Sequence, residues 1–167
     1  MNRIISILAA LVLYAIGGQF EVPIGPVPFI LTDFFVFFAA IRLGGLDFLV
    51  SVLLYLGLGA LGAPVFAGGS GGFQHLIGPT VGYLFGYLIG GLMVNYFHKK
   101  LDRGALQLVN VFFGYYLLFI LGITGLFILT EMKLQEAIEI GFMPFILSMH
   151  LKATAAWGVN KLFEKHN

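Results

Sequence analysis

Apolar runs separated by Gly/Pro turns or small charge clusters divide the chain into six segments, roughly 4–20, 29–43, 46–63, 79–97, 105–129 and 142–163. Most of them approach the roughly 20 residues that a helix needs to cross the hydrocarbon core of a bilayer. The second is short and shares a tight Gly44-Gly45 turn with the third, so a tilted helix or a hairpin of helices is expected there. Arg3 ahead of the first run, with Ala15, Ile16 and Gly17 at cleavage-like spacing, imitates a signal peptide. That run is long and further apolar segments follow it, which favours a spanning helix.

Composition agrees with this pattern. Of 167 residues, 59% are hydrophobic and 10% charged, and the mean hydropathy is +0.98, far from the balance of a water-soluble domain. The expected architecture is an all-α integral membrane protein, a six-helix bundle forming a single membrane domain over residues 1–167. A net charge of +1, with no basic arm beyond the short HKKLDR stretch, argues against a nucleic-acid partner. The absence of cysteine excludes disulfides and thiolate metal sites.

Basic residues orient the segments. Arg3, Arg42, Lys99, Lys100, Arg103, Lys161 and Lys165 fall on one side of the expected bundle, and Lys133 on the other. Because loops rich in Lys and Arg stay in the cytoplasm, a multi-pass cell-membrane protein with both termini cytoplasmic is expected. The glycine-rich stretch PVFAGGSGGFQHLIGPTVGY (64–83) then lies outside, with Glu21 in the first external loop and Glu131, Glu136 and Glu139 in the third. These acids read as a solvated rim. Gly82, Gly86 and Gly90 recur every four residues and put a smooth stripe on the fourth helix, with a shorter one at Gly59 and Ala63 on the third. In lipid such stripes serve close helix packing.

The glycine stretch is not a P-loop, since no GxxxxGK[ST] occurs and no Lys follows its glycines. ATP-driven work would need partner subunits. There is no HExxH and no paired-carboxylate arrangement inside the membrane, and His75 and His150 lie in different elements without a third ligand, so neither catalysis nor a metal site is expected. What remain are polar groups at membrane depth: Thr32 and Asp33 in the second segment, and Ser148, His150 and Lys152 in the sixth. Such groups are costly in hydrocarbon and face a cavity or a partner. Lys152 lies about ten residues into its segment, roughly 15 Å deep. Ser148, four residues before it, shares its helical face. An ion pair between Asp33 and Lys152 either lines a pocket or merely lowers the cost of burying both charges. A glycine loop presenting bare N–H groups at Gly68 and Gly69, with Ser70, Gln74 and Tyr83 as hydrogen-bonding side chains, closes over a small solute or is a flexible hairpin.

VPIGPVPF (22–29), LLYLGLGALGAPVFAGGSGG (53–72), LIGPTVGYLFGYLIG (76–90) and PFI followed by LKA (144–146, 151–153) resemble the BioY family over almost the whole chain. These are the biotin-specific substrate-binding S components of energy-coupling factor (ECF) vitamin transporters. The resemblance implies a six-helix protein that binds its vitamin from outside, under the loops after helices one and three. It implies as partners a transmembrane coupling subunit and two cytoplasmic ATPases, with toppling in the membrane to release substrate, and no cofactor. Three places depart from the family's pattern. Thr32 and Asp33 stand where a Gln-Thr pair is common, and Met149 stands where an Asp three residues before the retained Lys152 is expected to meet the ureido ring. The small-residue spacing of helix one is imperfect, Ala9 and Ala10 being followed by Leu13 and Tyr14. The substrate is therefore expected to be biotin, or alternatively another vitamin-like carboxylate such as lipoate; a membrane enzyme or structural subunit is the reading from outside this class.

Overall fold

A computed structural model describes residues 2–102 and 104–165. Arg103 and the side chain of Lys165, both used above to orient the segments, lie outside the described residues. Six long helices, α1 (Arg3–Gln19), α2 (Thr32–Arg42), α3 (Gly45–Ala60), α4 (Val81–His98), α5 (Gly104–Leu129) and α7 (Ile146–Lys165), make up the bundle, and a short helix α6 (Leu134–Gly141) precedes the last. Among the described residues the extended backbone pairs at a single isolated bridge, Val22 with Phe29. The expected α-helical bundle of six is thus formed.

Boundaries follow from local chemistry. Asn2 caps α1 by accepting from the Ile4 amide at 3.2 Å. Prolines 23, 26 and 28 cannot donate to a helical ladder, so α2 begins at Thr32 rather than near residue 29 and is only 11 residues long. Eleven residues rise about 16 Å, roughly half of a hydrocarbon core. The missing depth is taken by a hairpin over 22–29, whose amides are paired (Val22 N to Phe29 O 2.8 Å, Phe29 N to Val22 O 2.9 Å). Irregular backbone at such a depth is tolerated where protein covers it or a cavity borders it. The expected segment 142–163 is also displaced: Phe142 ends α6, a 3₁₀ turn with Pro144 follows, and α7 starts at Ile146. Lys152 is therefore six residues into its helix, about 9 Å rather than 15 Å from the N-terminal end of that segment.

The most extensive interface is α4 on α5; α2 packs on α1, α4 and α7, and α7 on α5. Helix α5, at 26 residues, is long and apolar enough to cross a membrane, and α1 and α3 are shorter apolar helices. Outward-facing residues are apolar: Ile4, Leu8, Val12 and Ile16 on α1, Phe113, Ile120 and Phe127 on α5, and Leu147 and Leu151 on α7. Continuous apolar exteriors of this kind suit lipid rather than water.

Candidate functional site

Between the hairpin 22–29, the glycine-rich loop and helices α2, α3, α4, α5 and α7 lies a cavity of about 580 Å³. Small-molecule sites occupy roughly 300–1,000 Å³. Two aromatic walls frame it. On the α3 side, Tyr55 meets Phe66 edge-on at 5.4 Å, and Phe66 meets His75 at 5.3 Å. On the other, Tyr83 meets Phe119 at 5.9 Å and Phe119 meets Phe145 at 5.8 Å. Tyr87 and Leu118 complete that wall.

At the buried part of the wall stands an ion pair. Lys152 Nζ donates to both Asp33 oxygens at 2.9 Å and to the Ile30 carbonyl at 2.6 Å, and lies 4.1 Å from the centre of the Phe29 ring. The Ile30 carbonyl is available because α2 has not yet begun there. Asp33 Oδ1 also accepts from the Phe34 amide at 3.0 Å, which leaves Oδ2 with the spare acceptor position. Both residues are buried, 7% and 8% exposed for Asp33 and Lys152, yet both border the cavity. A buried pair of this kind can give a ligand an acceptor and a donor side by side, where water is excluded and each hydrogen bond counts for more.

The glycine loop is folded by its own backbone. Phe66 N donates to Ser70 O at 3.0 Å, Gly72 N to Gly59 O at 2.7 Å, and the Gln19 amide group reaches Pro64 O at 3.1 Å. Gly68 has φ +61°, a left-handed value that side chains other than those of Asn and Asp rarely adopt, and a Cβ there would run into the Glu21 carboxylate. Gly68 and Ser70 border the cavity, as do Tyr83, Asp33 and Lys152. The Ser70 hydroxyl donates to Ala67 O at 2.7 Å, and the Tyr83 hydroxyl to Gly141 O at 2.7 Å, which ties α4 to the end of α6.

Five residues that the sequence placed at the site or among the groups facing a cavity stand elsewhere. Thr32 is fully buried behind the wall, its hydroxyl donating to Tyr14 O at 3.0 Å. Gly69 faces Gln19, and Gln74 turns back to Gly71 O at 2.8 Å. Ser148 bonds Phe145 O at 2.9 Å, the back-bonding that serines near a helix start favour. His150, on the opposite face to the cavity, meets Tyr116 and Ile146 O. In return the structure adds residues that sequence reasoning passed over: Glu21, assigned to a solvated rim; His75, weighed only as a metal ligand; and Tyr55, Tyr87, Phe66, Phe119 and Phe145, which share the apolar character of core residues. Only the position of Tyr87, four residues after Tyr83 on one helical face, carried a signal.

Comparison with known proteins places this geometry. The chain is 37% identical to the Biotin transporter BioY of Thermotoga maritima, over 87% of this chain and 86% of that one. It is 36% identical to the Probable biotin transporter BioY of Pyrococcus horikoshii, over 91% and 90%, and 31% identical to the Biotin transporter BioY2 of Lactococcus lactis, over 90% and 82%. Its fold matches a crystal structure of the S-component for biotin from an ECF-type ABC transporter with a TM-score of 0.86, at 24% identity, over 99% of this chain and 94% of that one. The BioY family matches residues 1–166. The apolar exterior is thus a lipid-facing surface, and this integral membrane protein belongs to the BioY family.

Proposed function

We propose that this chain is the substrate-binding S component of an ECF-type vitamin transporter and that it captures biotin. The observation that carries the reading is the Asp33–Lys152 pair on the wall of a cavity framed by aromatic rings. A ureido ring offers two N–H donors and one carbonyl acceptor. Asp33 Oδ2 has room for an N–H, and the Lys152 ammonium answers the carbonyl by exchanging one of its present acceptors. Met149, where the family's pattern has a carboxylate, is fully buried and cannot accept. The acceptor comes instead from α2, across the bundle. The dithiolane ring of lipoate has no N–H to offer this carboxylate, so the pair favours biotin.

The substrate enters from outside, under the hairpin 22–29 and the glycine loop, with both termini cytoplasmic. The basic residues Arg42, Lys99, Lys100 and Lys161 at one end of the helices support that orientation. Energy is supplied by a transmembrane coupling subunit and two cytoplasmic ATPases, since the chain has no nucleotide-binding motif. Equilibrium binding to the purified protein, with biotin, dethiobiotin and lipoate as competitors, tests the substrate. Displacement by dethiobiotin but not by lipoate is expected. Absence of biotin binding at micromolar concentration, together with uptake that is indifferent to Lys152→Ala, would refute the proposal.

A further inference from the structure

Glu21, Asp33 and Lys152 are the formally charged residues on the described cavity wall, which His75 and the phenols of Tyr55, Tyr83 and Tyr87 also line. Asp33 and Lys152 neutralise each other at 2.9 Å. What is left is one carboxylate, that of Glu21. It has no ion-pair partner among the described residues. Its backbone is held next to Val22, whose amide and carbonyl are both paired with Phe29, and its carboxylate occupies the space a Cβ on Gly68 would need. Glu21 is exposed, whereas the ion pair is buried. A ligand whose ring rests on Asp33 and Lys152 therefore sends its tail toward Glu21, Gly68, Ser70 and His75. For a free acid such as biotin this brings two carboxylates together at the mouth, with no unpaired Lys or Arg among the described residues of the wall to separate them.

From this juxtaposition we propose that Glu21 sets the preference for the end of the ligand's tail: the mouth disfavours a free carboxylate and favours a neutral or cationic terminus, as in biotin amides formed with amines. This deepens the biotin reading and rests on it. Like charges brought together at a binding site are a general means of rejecting one ligand while admitting another. Water reaches this mouth, so the effect is modest and salt-sensitive.

The test compares biotin, its neutral isostere biotinamide, and the cationic N-(5-aminopentyl)biotinamide by competition on the purified full-length protein at low ionic strength. Wild type is expected to hold biotinamide about fivefold more tightly than biotin, the size of one like-charge contact in a solvated mouth. The cationic amide should bind at least as well as biotinamide. Glu21→Gln should bring the biotin-to-biotinamide ratio close to one, and Glu21→Lys should reverse it in favour of the free acid. Raising salt should shrink the wild-type ratio and leave that of Glu21→Gln unchanged. Because each ratio is taken within one variant, partial misfolding cancels. A ratio that is the same in wild type, Glu21→Gln and Glu21→Lys overturns the role of Glu21 while leaving biotin capture standing. Failure of wild type to bind any of the three overturns biotin capture itself.

Discussion

Helix α4 has two working faces that could hardly differ more. One carries Gly82, Gly86 and Gly90 against α5; the other carries Tyr83 and Tyr87 on the cavity wall. On the first face backbone meets backbone: a Cβ on Gly82 would strike Leu121 O, one on Gly86 would come within 2.8 Å of Leu118 Cα, and one on Gly90 within 2.7 Å of Gly114 O. On the second, two bulky rings hold a space open. A rigid seam, closed by van der Waals contact because lipid provides no hydrophobic drive, backs the wall that must keep an empty volume. Neighbouring positions along one helix are thus divided between closing a gap and preserving one.

The sharpest way to break this contrast is to add volume to the seam. Gly82→Leu is expected to prevent accumulation of monodisperse protein, because the neighbour it meets is backbone and cannot turn aside; gel filtration in detergent checks it. On the cavity side, Lys152→Ala leaves Asp33 buried without its partner and should cost about 3–5 kcal/mol, read as a fall in thermal unfolding temperature, together with loss of biotin binding. The double substitution Asp33→Asn with Lys152→Met should recover most of that stability and none of the binding. Recovery of both would show that the pair only offsets its own burial. Tyr83→Phe removes a hydroxyl from Gly141 O and should cost about 1–3 kcal/mol through the carbonyl left buried and unpaired. The smallest effect is expected from Gln74→Ala, within about 0.5 kcal/mol in stability and with biotin affinity unchanged, since that side chain folds back on its own loop.

How much of the site was legible depended on chemistry rather than on position. Asp33 and Lys152 were readable because charges at membrane depth are rare and require a partner. The glycine loop was readable because its composition is unusual and its motifs resemble the BioY family. Ser148 misled because sharing a helical face with Lys152 says nothing about which carbonyl its hydroxyl finds first. Thr32, next to Asp33 in sequence, turns instead to the carbonyl of Tyr14. Tyr55, Phe119 and Phe145 were hidden among many similar aromatics, since a ring facing a cavity and a ring in the core have the same hydropathy. Glu21 was hidden in another way: an acid in a loop looks solvated until the partner loop carrying Gly68 is folded over it.

The sequence by itself determined the solvent, the helical class and the buried pair of opposite charges, because hydrophobicity and the cost of burying charge are properties of individual residues and short runs. Tertiary structure alone decided which side chains face the cavity. Asp33 and Lys152 are 119 residues apart, and their meeting depends on α2 starting late, on a proline hairpin filling the depth it leaves, and on Ile30 O being free to share the ammonium. Those are conditions on distant parts of the chain held together at once, and no local pattern of residues expresses them.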